Sequence, residues 1–209
     1  MKYILLCGGY YMENREETPK QLLEYGTGRT IIERTMGFLQ DNGVTDIAIS
    51  TNDPRFEWLG CPIIKRNYPV NAHWLDGLDH GIEACYIFGD VFFSPKAIKT
   101  IVETETDDIE FFASAPPFSE DYFKPWAEPF AFKVAKPMKF SSAINKCQGL
   151  ADLGRFKRDP IAWELWQVIK DTPLNEIDYT NYHVINDYTT DIDSLEELRE
   201  FRRRQRYDL

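Results

Sequence analysis

The sequence predicts an α/β protein built on an open, mostly parallel β-sheet with helices on both faces. Three observations carry this expectation. Short apolar runs at 3–7, 44–50, 84–88 and 109–115 alternate with segments of helical period, the rhythm that closes into a parallel sheet. One of these runs, Ala84 to Phe88, has no polar group except the Tyr86 hydroxyl, which suits a central strand covered on both sides. At 209 residues, 43% of them apolar, the chain is long enough for one well-buried domain and short for two.

Taken in order, Lys2 to Leu6 is the first buried strand, and Cys7-Gly8-Gly9 breaks it into a polar loop. Residues 30–41 put Ile31, Ile32, Met36 and Leu39 on one helical stripe, which Asn42-Gly43 ends as a left-handed cap. Val44 to Ser50 is the next strand and stops in the turn cluster Thr51-Asn52-Asp53-Pro54. Pro62 to Lys65 makes a short third strand, and Trp74 to Glu83 a helix leading into the strand at 84–88. Ser94-Pro95 opens a helix over 95–104, with serine as N-cap and proline at the first helical position. After the strand from Ile109 to Ala115, Pro116-Pro117 starts an aromatic and acidic loop that runs through Trp126. A strand from Pro129 to Ala135, a helix at 137–150 and an amphipathic helix at 160–170 follow. Tyr182 to Ile185 is the last strand, and Ser194-x-x-Glu197 is a capping box ahead of a final helix. No repeat, low-complexity tract or linker interrupts the chain, so residues 1–209 form a single domain.

Bulk properties exclude several classes. A formal charge of −10 argues against a nucleic-acid binder, which needs a basic face. The basic run Arg202-Arg203-Arg204 with Arg206 closes the last helix, where positive charge complements the helix dipole. No apolar run has the length of a membrane span. Cys7, Cys61, Cys85 and Cys147 are scattered without metal spacing, as expected of a reduced, cytoplasmic protein.

Three segments carry the chemistry. A strand that opens into Gly8-Gly9 and is followed by Thr18-Pro19-Lys20 makes room for a triphosphate. Glycines let main-chain amides approach the anion, and an ammonium beyond them meets its charge. Phe88-Gly89-Asp90 ends an apolar strand directly in a carboxylate, and Thr190-Asp191-Ile192-Asp193-Ser194 precedes the last helix. Ligands of open α/β sheets collect at the C-terminal strand ends, so Asp90 is placed to hold Mg²⁺ there. Magnesium takes one or two carboxylates and leaves its other positions to water and phosphate. Asp90 with Asp193 meets that need, and Asp191 is assigned to the opposite face with a supporting role at most.

These segments resemble the nucleotidyltransferases that activate sugar phosphates and related phosphorylated small molecules. Leu5-Leu6-Cys7-Gly8-Gly9 followed by Pro19-Lys20-Gln21-Leu22-Leu23 is similar to their opening motif, Gly89-Asp90 to their metal-binding aspartate, and Asp191-Ile192-Asp193-Ser194-Leu195-Glu196-Glu197-Leu198 to their closing segment. Asp76-Gly77-Leu78 resembles the segment that sugar-phosphate thymidylyltransferases place near base and ribose. The resemblance implies a Rossmann-like, glycosyltransferase-A-like fold, with residues 1–115 as the nucleotide-binding half and 116–209 completing the metal and acceptor sites. It implies Mg²⁺ on Asp90 and Asp193, Lys20 on the phosphates, Arg15 at their β/γ end, and Leu6, Cys7, Gly8 and Gly9 along base and ribose with Asp76 and Gly77. The partners would be a nucleoside triphosphate, CTP by analogy with compact members, and an acceptor such as a sugar 1-phosphate or phosphocholine. Among Glu128, Lys133, Lys136, Arg155, Lys157 and Arg158, one or two should touch that anionic acceptor.

The loop departs from the family pattern. It runs Gly8-Gly9-Tyr10-Tyr11-Met12-Glu13-Asn14-Arg15, with Tyr11 at a glycine position and the arginine later than usual. Two other functions therefore stand beside the first: a glycosyltransferase using Asp191-Ile192-Asp193 as its Asp-x-Asp motif, and a nucleotide-binding regulatory domain without turnover. Structural accounts also exist for single residues. Gly8-Gly9 can be a plain turn, Asp90 a cap, Asp193 a helix N-terminal charge, and Asp76-Gly77 a first helical turn. His73, His80 and His183 read as structural, and Trp163 and Trp166 as core.

Overall fold

The computed structural model describes residues 1–7, 18–26, 28–65, 74–115 and 126–205. Its main sheet holds seven strands: β1 (Lys2–Leu6), β4 (Ile47–Ser50), β5 (Ile63–Ile64), β6 (Ala84–Phe88), β8 (Ile109–Ala113), β9 (Pro129–Val134) and β10 (His183–Val184). Their order is β10-β8-β9-β6-β1-β4-β5. Every strand but β9 runs the same way, because β9 pairs antiparallel with both β6 and β8. The predicted mostly parallel sheet is therefore present, and all five residues of β6 are buried at its centre.

Two helix pairs cover the sheet: α1 (Ile31–Asp41) with α2 (Pro95–Glu103), and α3 (Pro137–Asp152) with α4 (Ala162–Lys170). Alternation along β9 shows that they lie on opposite faces. Phe132 stacks on Phe111 and meets Phe140 of α3 and Trp166 of α4. Its neighbour Lys133 points the other way and donates to the carbonyls of Ile101, Val102 and Thr104 at the C-terminal end of α2. Lys133 thus satisfies carbonyls that the helix leaves open.

A smaller layer carries the rest. The hairpin β2 (Glu24–Gly26) with β3 (Arg29–Thr30), the pair β7 (Val91–Phe92) with β11 (Thr190–Asp191), and α5 (Leu195–Gln205) enclose a second core. Leu23, Ile31, Phe92, Ile192, Leu198 and Phe201 fill it. The Arg34 guanidinium ties α1 to this layer, 4.3 Å from the Phe92 ring and donating to the Phe93 carbonyl.

One expected element is different. Residues 74–83 do not form a helix; a 3-10 turn spans Trp74–Gly77, and the chain then bends into β6. Gly81 takes a φ of +63°, and its N–H is held by the Asp79 carboxylate, so the backbone leaves the helical region before a second turn can form. Among the described residues no helix is long and apolar enough to cross a membrane. His80 stacks on Tyr86, His183 stacks on Phe112 beside Glu110, and Trp166 is core. His73 lies outside the described residues.

Candidate active site

The strand order reverses at β1: the chain moves outward through β4 and β5, then returns to β6 on the other side. Open α/β sheets bind ligands at such a switch point, beyond the C-terminal strand ends. Cys7, Gly89 and Asp90 leave the sheet there. Gly89 is required by the closeness of the two strand ends. Its N–H donates to the Leu6 carbonyl at 3.1 Å. A Cβ on it would stand 2.5 Å from Cys7 Sγ and 2.7 Å from that same oxygen. Glycine lets β6 turn against β1 and deliver Asp90 into the crevice.

Asp90 is met there by groups from distant parts of the chain. Lys20 opens a 3-10 turn, Lys20–Leu22, fixed by Pro19 before it. Its Nζ lies 3.1 Å from Asp90 Oδ2 and 2.8 Å from Asp193 Oδ1. Asp193 arrives because β11 pairs antiparallel with β7 and Ile192 N–H donates to the Asp90 carbonyl. Ser194 Oγ accepts from Glu197 N–H, so the predicted serine cap starts α5 directly behind Asp193, while the Glu197 carboxylate accepts from Asp193 N–H.

The electrostatics follow from this packing. Burial raises the pKa of Asp90; Lys20 opposes the rise, and the Asp191 carboxylate adds to it. Burial also works against the Lys20 ammonium, yet Asp90 and Asp193 outweigh it and hold its pKa above the ordinary lysine value. Burial pushes the Cys7 thiol well up, and the Asp90 carboxylate adds to the rise.

Asp191 corrects one expectation. It does not turn away from the site but lines the same cavity as Lys20 and Asp90. Residues two apart on extended chain share a face, and the residue between them, Ile192, is fully buried in the second core. Glu128 holds this segment: its Oε2 accepts from Thr190 Oγ1 at 2.9 Å and from Asp191 N–H at 3.3 Å.

The cavity has a volume of about 510 Å³. Its floor is Leu6, Lys20, Asp90 and Asp191, and its far wall is Glu128, Arg158, Trp126, Trp163 and Tyr179. Trp163 therefore serves both core and cavity. Of the six charged residues expected near an acceptor, Glu128 and Arg158 line the cavity. Lys133 is committed to α2, and Lys136 to Asp108. Arg158 Nε donates to the buried Glu164 carboxylate at 2.8 Å. Gly77 lines the cavity too, whereas the Asp76 carboxylate accepts from Gln148 of α3. Gly8, Gly9 and Arg15 lie outside the described residues.

Among the described residues no cluster of three or more histidine, cysteine or acidic side chains is arranged to hold a metal by itself. Two carboxylates gathered on one cation match what Mg²⁺ asks of a protein when phosphate oxygens supply further ligands. The donor set of Asp90 and Asp193 therefore fits that ion.

No protein-family model matches this chain, and no curated protein sequence does. Solved structures do match over nearly the whole chain. A putative glucose-1-phosphate thymidylyltransferase from Bacillus anthracis aligns with a TM-score of 0.62 at 16% identity, covering 99% of this chain and 95% of the other. The inositol-1-phosphate CTP transferase from T. maritima gives 0.58 at 17% identity, over 97% and 94%. The CTP:phosphocholine cytidylyltransferase from Streptococcus pneumoniae gives 0.55 at 18% identity, over 98% of each chain. The chain has the α/β fold of these nucleotidyltransferases.

Proposed function

We propose that this chain is a Mg²⁺-dependent nucleotidyltransferase that moves a nucleoside monophosphate from a nucleoside triphosphate, CTP by preference, onto a phosphorylated small molecule. The observation that carries this reading is the convergence of Lys20, Asp90 and Asp193 at the switch point, beside a cavity of about 510 Å³. Four free cysteines agree with work in the reduced cytoplasm.

The chemistry is an in-line displacement. An acceptor phosphate oxygen bonds to the α-phosphorus, the bond to the α–β bridging oxygen breaks, and pyrophosphate leaves with that electron pair. The acceptor oxygen is already anionic, so positioning and charge neutralisation dominate. Mg²⁺ held by Asp90 and Asp193 would neutralise charge at the α-phosphate. Lys20 binds the phosphates, Arg15 extends that contact, and main chain from Leu6 to Gly9 with Gly77 faces base and ribose. Arg158 takes the acceptor phosphate: Glu164 fixes its Nε, and among the described residues its Nη groups make no hydrogen bond. Trp126, Trp163 and Tyr179, together with Asp191 and Glu128, suit a cationic headgroup. That favours an aminoalcohol phosphate of the phosphocholine kind over a sugar 1-phosphate.

Pyrophosphate release, measured for each common triphosphate with Mg²⁺ and either acceptor type, tests the proposal. Asp90→Ala is expected to lower kcat by about 10³-fold or more while the circular dichroism spectrum stays unchanged. Full activity in a folded Asp90→Ala protein removes the metal assignment. Release of nucleoside diphosphate from an added nucleoside diphosphate sugar, with no pyrophosphate from any triphosphate, would indicate a glycosyltransferase instead. Triphosphate binding without pyrophosphate would indicate a regulatory domain.

A further inference from the structure

The geometry points to a second role for Lys20: its ammonium sits in the divalent cation's own seat, so the cation binds weakly by itself and tightly only together with a triphosphate that draws Lys20 away. This rests on the reading of Asp90 and Asp193 as metal ligands, and goes beyond it by fixing how metal and nucleotide binding depend on each other.

The argument is one of space and charge. Lys20 Nζ lies 3.1 Å from Asp90 Oδ2 and 2.8 Å from Asp193 Oδ1, on one carboxylate oxygen of each residue. Mg²⁺ bonded to those oxygens would stand about 2.0–2.1 Å from each. An ammonium and a divalent ion cannot share that gap, because both claim the same lone pairs and repel at such a distance. The carboxylates are held from opposite sides, Asp90 by the Gly89 turn and Asp193 by the β7–β11 pairing and α5. Lysine is the movable partner, a compact charge on a four-carbon stem. Its side chain is 39% exposed, so its tip has an outlet toward the cavity. Free metal must break two ion pairs to enter and offers Lys20 nothing in return. A triphosphate offers it phosphate oxygens.

Linkage then requires that each ligand strengthen the other, by a factor typical of coupled sites. The test is Mn²⁺ binding without nucleotide, followed by proton relaxation enhancement of the solvent. Lys20→Met should bind Mn²⁺ about tenfold or more tightly than the wild type, and Lys20→Arg should bind it as weakly as the wild type. In the wild-type protein, saturating Mn²⁺ should also raise labelling of Lys20 by an amine-reactive reagent several-fold relative to Lys99, read by mass spectrometry.

Unchanged or weaker Mn²⁺ binding in Lys20→Met, or Lys20 labelling indifferent to Mn²⁺, overturns the exchange. Asp90→Ala and Asp193→Ala separate the two levels of the argument. If both abolish Mn²⁺ binding while Lys20→Met gains nothing, the metal site stands and the exchange falls. If neither affects Mn²⁺ binding, both fall together.

Discussion

Asp90 concentrates the tension between stability and function in one side chain. Its folded-state pKa is raised, burial being the largest cause and Asp191 adding to it, with Lys20 only partly compensating. A carboxyl whose folded pKa exceeds its unfolded one favours the folded state when protonated, and that contribution is lost as pH rises through the folded value. Ionised Asp90 therefore costs stability at neutral pH. Asp90→Asn should melt at a higher temperature than the wild type at pH 7, and the difference should shrink as pH falls below the raised pKa. Calorimetric melts across that range check the sign; a lower melting temperature for Asp90→Asn at pH 7 would contradict it. Gly89 is the neighbouring constraint. The added methyl of Gly89→Ala meets Cys7 Sγ and the Leu6 carbonyl well inside contact distance. Overpacking of that order costs about 1–3 kcal/mol. Because the carbonyl is backbone, the strand ends must part, so denaturant unfolding should show this loss together with weaker metal binding.

Between elements, Glu128 decides how firmly β11 is held. It is 4% exposed and bonds Thr190 Oγ1 and Asp191 N–H, so it fastens β11 to the start of β9. Glu128→Leu should destabilise the protein by about 1–3 kcal/mol through the donors it strands. Amide exchange at Asp191 and Ile192 should rise with it, whereas Glu128→Gln, which can still accept, should keep most of the protection. The strands β1, β4 and β6 were legible in the sequence because each is a mainly apolar run bounded by turn residues. The segment at 74–83 misled because its apolar spacing imitates a helix while Gly81, at a φ of +63°, decides the backbone. Asp191 misled for a different reason: its face follows from the two-residue strand period, which places it with Asp193 once Ile192 is known to be core. Lys20, Asp90 and Asp193 were legible as separate strand-end or loop charges. Arg158 and Glu128 could not be separated from Lys133 and Lys136, since only tertiary packing shows which charges α2 and Asp108 already consume.

At the scale of the molecule, the chain brings Lys20, Asp90 and Asp193 together from its start, its middle and the segment before its last helix. Lys20 and Asp193 are 173 residues apart in sequence, and their contact closes the second core layer over the main sheet. Ligand binding to this site is therefore also a bond between layers, and it should be visible as global stability. A ligand that binds only the folded state stabilises it by about 2.7 kcal/mol at a hundredfold excess over its Kd. For a chain of this size that corresponds to a rise in melting temperature of about 5–10 °C. Among the four common nucleoside triphosphates with Mg²⁺, one, expected to be CTP, should produce such a shift, and Asp90→Ala should erase it. A shift that survives Asp90→Ala would place the triphosphate away from the carboxylates. No shift with any triphosphate would mean that the fold persists without nucleotide binding.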